Sequence, residues 1–180
     1  KEAKDVKPPV SVTDFYPTIL ELAGLKQKPK EHSDGVSLVP LLKGKPLPER
    51  ALIWHYPHYG NQGGEPSSII RKGDWKLIHY YEDGHNELYN LRTDISETKD
   101  ISANNQKLVS QLHKELFDYL KSVGARFPEK DPQYSAEAER KYLEGIEKNR
   151  LPQLEKQRMD FLSKDFDPKN NWWGSEPVNN

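Results

Sequence analysis

Polar and apolar side chains alternate along three short runs between residues 67 and 91. The runs cover residues 67–71, 75–81 and 87–91, and alternation with a period of two is typical of strands that bury one face. The segments between them are Lys-Gly-Asp and Glu-Asp-Gly-His, and these residue types favour tight turns. The pattern therefore predicts an antiparallel meander whose apolar face must be covered by another element.

A fourth apolar run, at residues 51–56, precedes the meander and is predicted to add one more strand. The longest helical pattern follows the meander, at residues 104–123, where leucines recur at helical spacing. This helix is the expected cover for the sheet. Together these elements predict an α+β fold: a four-stranded antiparallel sheet packed by one long helix.

An N-terminal helix is predicted at residues 13–23, before a loop-rich stretch that contains many prolines and glycines. Phe15, Ile19 and Leu22 recur on one face of this helix, so we expect that face to be buried in the core. Gly24 follows the last periodic residue and is a suitable residue for ending the helix.

Beyond residue 127 the chain becomes strongly charged. We expect an extended, partly helical C-terminal tail, with helical patterns at residues 135–150 and 153–164 that Pro152 separates. The predicted organisation therefore has three parts: a connecting segment with a helix (1–50), an α+β subdomain (51–127) and a tail (128–180).

Composition narrows the possible functions. The chain has 180 residues, with 27 basic and 28 acidic side chains, and this balance argues against a nucleic-acid partner. Apolar residues make up 34%, a low share for a compact domain, so much of the chain is expected to be surface or to contact another domain. No apolar run is long enough for a membrane helix. The absence of cysteine excludes disulfides and zinc–thiolate sites.

The sequence contains no complete catalytic motif, and its carboxylates are too scattered to predict a metal site. The candidate binding residues are His55, His58 and Tyr59, which lead into the glycine-rich loop at residues 57–66. Aromatic rings that alternate with imidazoles can stack on a sugar and hydrogen-bond a hydroxyl or an anion. The alternatives are a strand-end histidine satisfied by the backbone, and a loop that is only a flexible surface excursion.

Four successive segments stand out in the sequence. The first reads DFYPTILELAG and the second DGVSLVPLLKG; the third is IRKGDWKLI followed by ELYNLRTD, in the predicted meander, and the fourth is Gly124-Ala125 with Pro128, after the long helix. In this order and spacing, they resemble motifs of the type I sulfatases in the alkaline-phosphatase superfamily. The resemblance covers about residues 10–130. The HYPHY stretch at residues 55–59 is similar to arylsulfatase-like members, often bacterial, that degrade polysaccharides.

The resemblance implies that a longer parent protein hydrolyses sulfate esters, with sulfated carbohydrate as substrate and a periplasmic or secreted location. It also implies an N-terminal catalytic domain as partner, with calcium and a formylglycine nucleophile made from Cys or Ser in a C/S-x-P/A-x-R motif. This chain lacks that motif, so we expect no cofactor and no catalytic residue here. We expect it to be a fragment, inactive alone, that completes the fold and borders the substrate cleft.

Two other functions remain open. The first is a stand-alone carbohydrate-binding or interaction module that uses exposed aromatic residues: Tyr56, Tyr59, Trp172 and Trp173. The second is the C-terminal part of a related phosphodiesterase or phosphatase, whose nucleophile would be Thr or Ser rather than formylglycine.

Overall fold

The computed structural model describes residues 7–60 and 64–166. The chain divides into two compact units, Lys1–Pro128 and Glu129–Asn180. The predicted strands and the predicted covering helix all lie in the first unit.

Four antiparallel strands form one sheet in chain order, which is the meander that the alternation predicted. The strands are β1 (Ala51–Tyr56), β2 (Ser67–Lys72), β3 (Trp75–Tyr80) and β4 (Asn86–Asn90). In the register of the sheet, Ile53 pairs with Ile70, Ile70 with Leu77 and Leu77 with Leu88. This row therefore places four apolar side chains on one face.

The long helix α3 (Gln106–Ser122) packs on that face and follows a 3-10 turn at Ser102–Asn104. Val109, Leu112, Leu116 and Leu120 form its buried stripe, and each is at most 7% exposed. They join the central sheet row in the main core of the unit. The predicted α+β fold is confirmed, because one amphipathic helix does remove the apolar face of the sheet from water.

The other face of the sheet carries a second, smaller cluster built on Ile78, Tyr89 and Leu91. The segment after β4 borders this region, and the ammonium of Lys76 pairs with Glu97 at 2.6 Å. The backbone N–H of Ile101 donates to the carbonyl of Leu88 at 3.0 Å and thereby covers part of the outer edge of β4. An edge strand covered in this way exposes fewer unpaired backbone N–H and C=O groups that could pair with a strand of another chain.

Helix α1 (Phe15–Leu22) continues a 3-10 turn at Val12–Asp14, and the short helix α2 (Val39–Leu42) follows it along the chain. The buried face of α1 differs from the predicted one. Phe15, Ile19 and Leu22 are 57%, 62% and 63% exposed, whereas Thr18 and Leu20 are buried. The prediction that Phe15, Ile19 and Leu22 face the core was therefore wrong for this unit. The physical reason is that polar contacts, rather than the apolar stripe, set the orientation of this helix.

Those contacts centre on the carboxylate of Asp14, which is fully buried. It pairs with the guanidinium of Arg50 and accepts hydrogen bonds from the backbone N–H groups of Ser11 and Val36, at 2.8 and 3.0 Å. Burial alone would raise the pKa of Asp14, but these donors more than offset it and hold the pKa below its ordinary value. Gly35 allows this close packing, since a Cβ there would lie 2.2 Å from the carbonyl oxygen of Thr13.

In the second unit, α4 (Ala136–Gly145), a π-helical turn (Ile146–Arg150) and α5 (Leu151–Phe161) follow one another without a break. The expectation that Pro152 separates two helices was wrong. Proline lacks an N–H and its ring clashes with the carbonyl four residues earlier, and a π turn upstream relieves both problems while the helix continues.

No helix among the described residues combines the length and the apolar character that are needed to cross a membrane.

Candidate functional site

His55 lies near the end of β1, half-buried, where both ring nitrogens contact groups of this chain. Its Nδ1 is 2.6 Å from the hydroxyl of Ser68, and its Nε2 is 2.8 Å from the carbonyl oxygen of Arg126. Ser68 is its partner across the β1–β2 pair and is completely buried. Strand pairing therefore brings this histidine and this serine together.

Tyr81 follows β3 and extends the same cluster. Its hydroxyl lies 2.7 Å from that of Ser68 and 3.3 Å from Nδ1 of His55. Burial raises the pKa of Tyr81, and the hydrogen bond to Ser68 opposes that effect in part. Phe127 packs edge-on against both rings, with centroids 5.7 Å from His55 and 6.1 Å from Tyr81.

The other two predicted binding residues, His58 and Tyr59, lie in a different environment from that of His55. His58 and Tyr59 are both exposed, and Tyr59 keeps 65% of its surface in water. The ring of His58 contacts that of Tyr56 edge-on, with centroids 5.6 Å apart. Residues 61–63 of the loop, and the Trp172–Trp173 pair of the module hypothesis, lie outside the described residues.

A pair of imidazoles, outside the predicted site, lies between β3 and α3. The rings of His79 and His113 are 5.0 Å apart and both pack on Phe117. Burial lowers the pKa of each histidine, and the hydrogen bond that Nδ1 of His79 donates to the amide oxygen of Asn86 opposes the shift there. Both rings pack between the helix and the sheet, where burial disfavours the charged form of the imidazole.

The structure thus separates the predicted site residues into two kinds. His55 is held by partners of the chain itself, and His58 and Tyr59 are presented to solvent. Sequence reasoning missed Ser68, Tyr81 and Arg126. The pairing of β1 with β2 places Ser68 opposite His55, and the predicted strands alone did not specify that register. No sequence pattern predicts that Arg126, 71 residues away, supplies the second bond.

The residues present do not fit the calcium and the nucleophile that sulfatases use. Among residues 7–60 and 64–166, no three His, Asp or Glu side chains form a group that could hold a metal ion. The whole sequence has no cysteine and no serine in a C/S-x-P/A-x-R motif. The buried carboxylate of Asp14 already has its cation in Arg50. No step of sulfate ester hydrolysis is therefore assigned to this chain.

Comparison with known proteins identifies the family. The C-terminal family of N-sulphoglucosamine sulphohydrolase matches residues 1–122, which is more than half of the chain. The chain belongs to this family. The resemblance to type I sulfatases of the alkaline-phosphatase superfamily is thereby confirmed.

Two curated relatives agree with the sulfatase family assignment. A sulfatase of Formosa agariphila is 39% identical over 106 residues, which cover 53% of this chain and 19% of that protein. Arylsulfatase K of Danio rerio is 35% identical over 109 residues, which cover 57% of this chain and 20% of that protein. The chain thus spans about a fifth of the length of these relatives.

A solved structure shares the fold as well. It is a complex with D-glucosamine-2-N,6-O-disulfate, described as the substrate of that protein, and it matches with a TM-score of 0.50 at 33% sequence identity. The match covers 60% of this chain and 23% of the other. The sulfatase family fold therefore includes the sheet and helix described above.

Proposed function

We propose that this chain is the C-terminal part of a longer sulfatase that hydrolyses sulfate esters of glycans, and that it has no catalytic activity alone. The observation that carries this proposal is the family match over residues 1–122, together with sulfatase relatives of which the chain spans about a fifth. The calcium and the formylglycine nucleophile would then be held by the part of the longer protein outside this chain.

The partner in this proposal is the N-terminal catalytic domain of the same protein, and residues 1–50 complete that domain. Support comes from the outer face of α1, where Phe15, Ile19 and Leu22 are each more than half exposed. Three large apolar side chains on one helix face favour contact with another apolar surface. The division into residues 1–50, 51–127 and 128–180 remains a prediction.

The substrate in this proposal is a sulfated glycan, by analogy with the sulfated glucosamine of the matching complex. His58 and Tyr59 would contact it directly, because both side chains are exposed. The tyrosine ring can stack on a sugar, and the imidazole can hydrogen-bond a hydroxyl or a sulfate oxygen. We also include His55 in the substrate site, because His58 and Tyr59 follow it closely along the chain. A periplasmic or secreted location belongs to the same proposal.

The test compares the 180-residue chain with the natural longer polypeptide. We expect the longer protein, with calcium, to hydrolyse a chromogenic aryl sulfate and D-glucosamine-2-N,6-O-disulfate, and we expect no turnover above buffer from the chain. Turnover by the chain alone would overturn its non-catalytic role. Hydrolysis of phosphate esters but not sulfate esters would instead support a phosphatase or phosphodiesterase.

The binding role is tested with matched pairs in the longer protein. His58→Ala and Tyr59→Ala should raise KM for the glycan, whereas His85→Ala and Tyr142→Ala should not, although those side chains are also exposed. Unchanged KM in both loop variants would remove the loop from the site. Calorimetric titration of the isolated chain with the glycan distinguishes the module hypothesis, which requires measurable binding without the rest of the protein.

A further inference from the structure

Four separate parts of the chain meet at the base of the loop that carries His58 and Tyr59. They are the end of β1, the start of β2, the residue after β3 and the segment after α3. Each contributes one polar group to a continuous chain of contacts: the ring of His55, the hydroxyls of Ser68 and Tyr81, and the carbonyl of Arg126. The proposed substrate site uses only the first of these groups.

The chemistry of these groups sets the direction of the hydrogen bonds. A backbone carbonyl can only accept, so Nε2 of His55 must carry a proton and donate it to Arg126 at 2.8 Å. In the neutral ring Nδ1 then accepts, and the hydroxyl of Ser68 donates to it at 2.6 Å. The oxygen of Ser68 in turn accepts from the hydroxyl of Tyr81 at 2.7 Å. In this arrangement each of the four groups, from the carbonyl of Arg126 to the hydroxyl of Tyr81, has a hydrogen-bond partner within the cluster.

The surroundings fix the imidazole ring as well as its proton. Tyr81 and Phe127 contact it edge-on, with centroids at 5.9 and 5.7 Å. Ser68, the central member, is fully buried, so loss of its partner would leave a polar group without water. The orientation of His55 is therefore set by packing and by hydrogen bonds at once.

Residues of this cluster also lie next to both ends of the loop. His58 follows His55 by three residues, and Pro57 between them restricts the backbone. At the far end, the backbone N–H of Tyr81 donates to the carbonyl of Pro66 at 2.9 Å. Tyr81 thus contacts the strand that leads into the loop, at His55, through its hydroxyl, and the last residue of the loop, Pro66, through its backbone.

We propose that the relay Tyr81–Ser68–His55–Arg126 positions His58 and Tyr59 for substrate, with His55 acting as a positioning residue that does not itself contact the ligand. This proposal rests on the proposed function of the loop. It assigns roles to Ser68 and Tyr81, whose side chains lie below the exposed surface.

A first experiment needs no sulfatase activity. In the 180-residue chain, long-range proton–nitrogen NMR spectra of the imidazoles should show His55 as the neutral Nε2–H tautomer. Ser68→Ala should perturb the Nδ1 resonance of His55, whereas the control Ser110→Ala should not, because that hydroxyl bonds the carbonyl of Gln106 on α3. A neutral His55 with its proton on Nδ1, or an Nδ1 resonance indifferent to Ser68→Ala, would overturn the relay.

A second experiment measures positioning in the natural longer protein. Ser68→Ala and Tyr81→Phe should raise KM for a glycan substrate by about threefold to tenfold with kcat within about twofold, since they weaken binding without touching reacting atoms. Tyr80→Phe is the matched control, because its hydroxyl bonds Glu87 instead. A small aryl sulfate lacks the sugar units that this proposal places at the loop, so its KM should not change.

The outcomes separate the two proposals. If His58→Ala raises KM but Ser68→Ala and Tyr81→Phe do not, the loop binds substrate and the positioning role is wrong. If the NMR result holds but the longer protein does not turn over any sulfate ester, the proposed function fails while the relay stands as a structural feature. Equal losses on glycan and aryl sulfate would indicate general destabilisation and would also overturn the positioning role.

Discussion

Helices α1 and α3 both carry an apolar stripe at helical spacing, yet the structure treats the two stripes in opposite ways. On α3, Leu116 is fully buried against the sheet. On α1, Ile19 is 62% exposed and the buried positions include Asp14 at the N-terminus and Thr18. One helix is held by apolar packing and the other by polar contacts.

The difference shows what each helix needs in order to be stable within this chain. Helix α3 finds its apolar partner in the sheet, and burial of its leucines stabilises the unit directly. Helix α1 is oriented by hydrogen bonds: the hydroxyl of Thr18 donates to the carbonyl of Asp14 at 2.6 Å and accepts from the N–H of Leu38 at 2.8 Å. Its apolar stripe remains available for the domain proposed above.

The largest effect is expected from shortening the α3 stripe. Leu116→Ala should lower the free energy of unfolding by about 3–4 kcal/mol, because it leaves a cavity at a site with no solvent access. Urea denaturation followed by circular dichroism measures this, and Lys107→Ala on the exposed face of α3 should change it by less than about 0.5 kcal/mol. Similar losses in both variants would mean that α3 is not held by its leucines.

A somewhat smaller effect is expected at the polar anchor of α1. Asp14→Asn should lower the free energy of unfolding by about 2–3 kcal/mol, since it leaves the guanidinium of Arg50 without its carboxylate. The matched surface pair is Lys114–Asp118, at 2.5 Å on α3, and Asp118→Asn should have almost no effect. An Asp14 variant as stable as the parent chain would show that other contacts orient α1.

Acid should weaken the packing of α3 before it affects the anchor of α1. The pKa values of His79 and His113 lie below the ordinary 6.5, so the unfolded chain binds more protons and stability falls as the pH drops below that value. The contribution of Asp14, whose pKa lies below 3.8, is lost only in stronger acid. Denaturation midpoints at about pH 7.5 and pH 5 measure the first effect.

The control for this pH dependence is His113→Gln, which removes one titrating ring from the pair. It should flatten the decline between about pH 7.5 and pH 5. A decline that is equally steep in this variant would assign the acid sensitivity to other groups.

The smallest effect is expected on the outer stripe of α1. Ile19→Ala should change the stability of the 180-residue chain by less than about 0.5 kcal/mol, because the side chain is already mostly in water. In the natural longer protein, the same change should cost about 2–3 kcal/mol if the stripe is buried there. A large loss in the chain alone would mean that another surface, such as a second copy, already covers α1, and sedimentation would detect that copy.

Much of the first unit followed from local patterns. The strand predicted at residues 51–56 matches β1, and the predicted helix at 104–123 contains α3 and part of the turn before it. The strand was predicted from alternation and the helix from helical spacing of apolar residues, and both patterns directly indicate which face is buried and which is exposed. The candidate residues His58 and Tyr59 came from the alternation of aromatic rings with imidazoles at residues 55–59, and their role in binding stays a prediction.

The polar contacts that orient α1 and that hold His55 could not be predicted in this way. Asp14 and Arg50 are 36 residues apart, and His55 and Arg126 are 71 apart. Polar contacts of this kind depend on where loops end after the sheet and helix have packed. Their residue types are common on protein surfaces, so composition gives no indication of them.

The sequence by itself determined the order of the elements, the faces of the sheet and the family. All three depend on periodic apolar patterns or on motifs of consecutive residues. Only the tertiary structure decided which apolar helix stripe is buried and which histidine is held by hydrogen bonds. Apolar periodicity indicates that a face will avoid water, but the partner that covers it depends on the rest of the fold. That is why two helices with similar patterns, α1 and α3, have opposite environments in this chain.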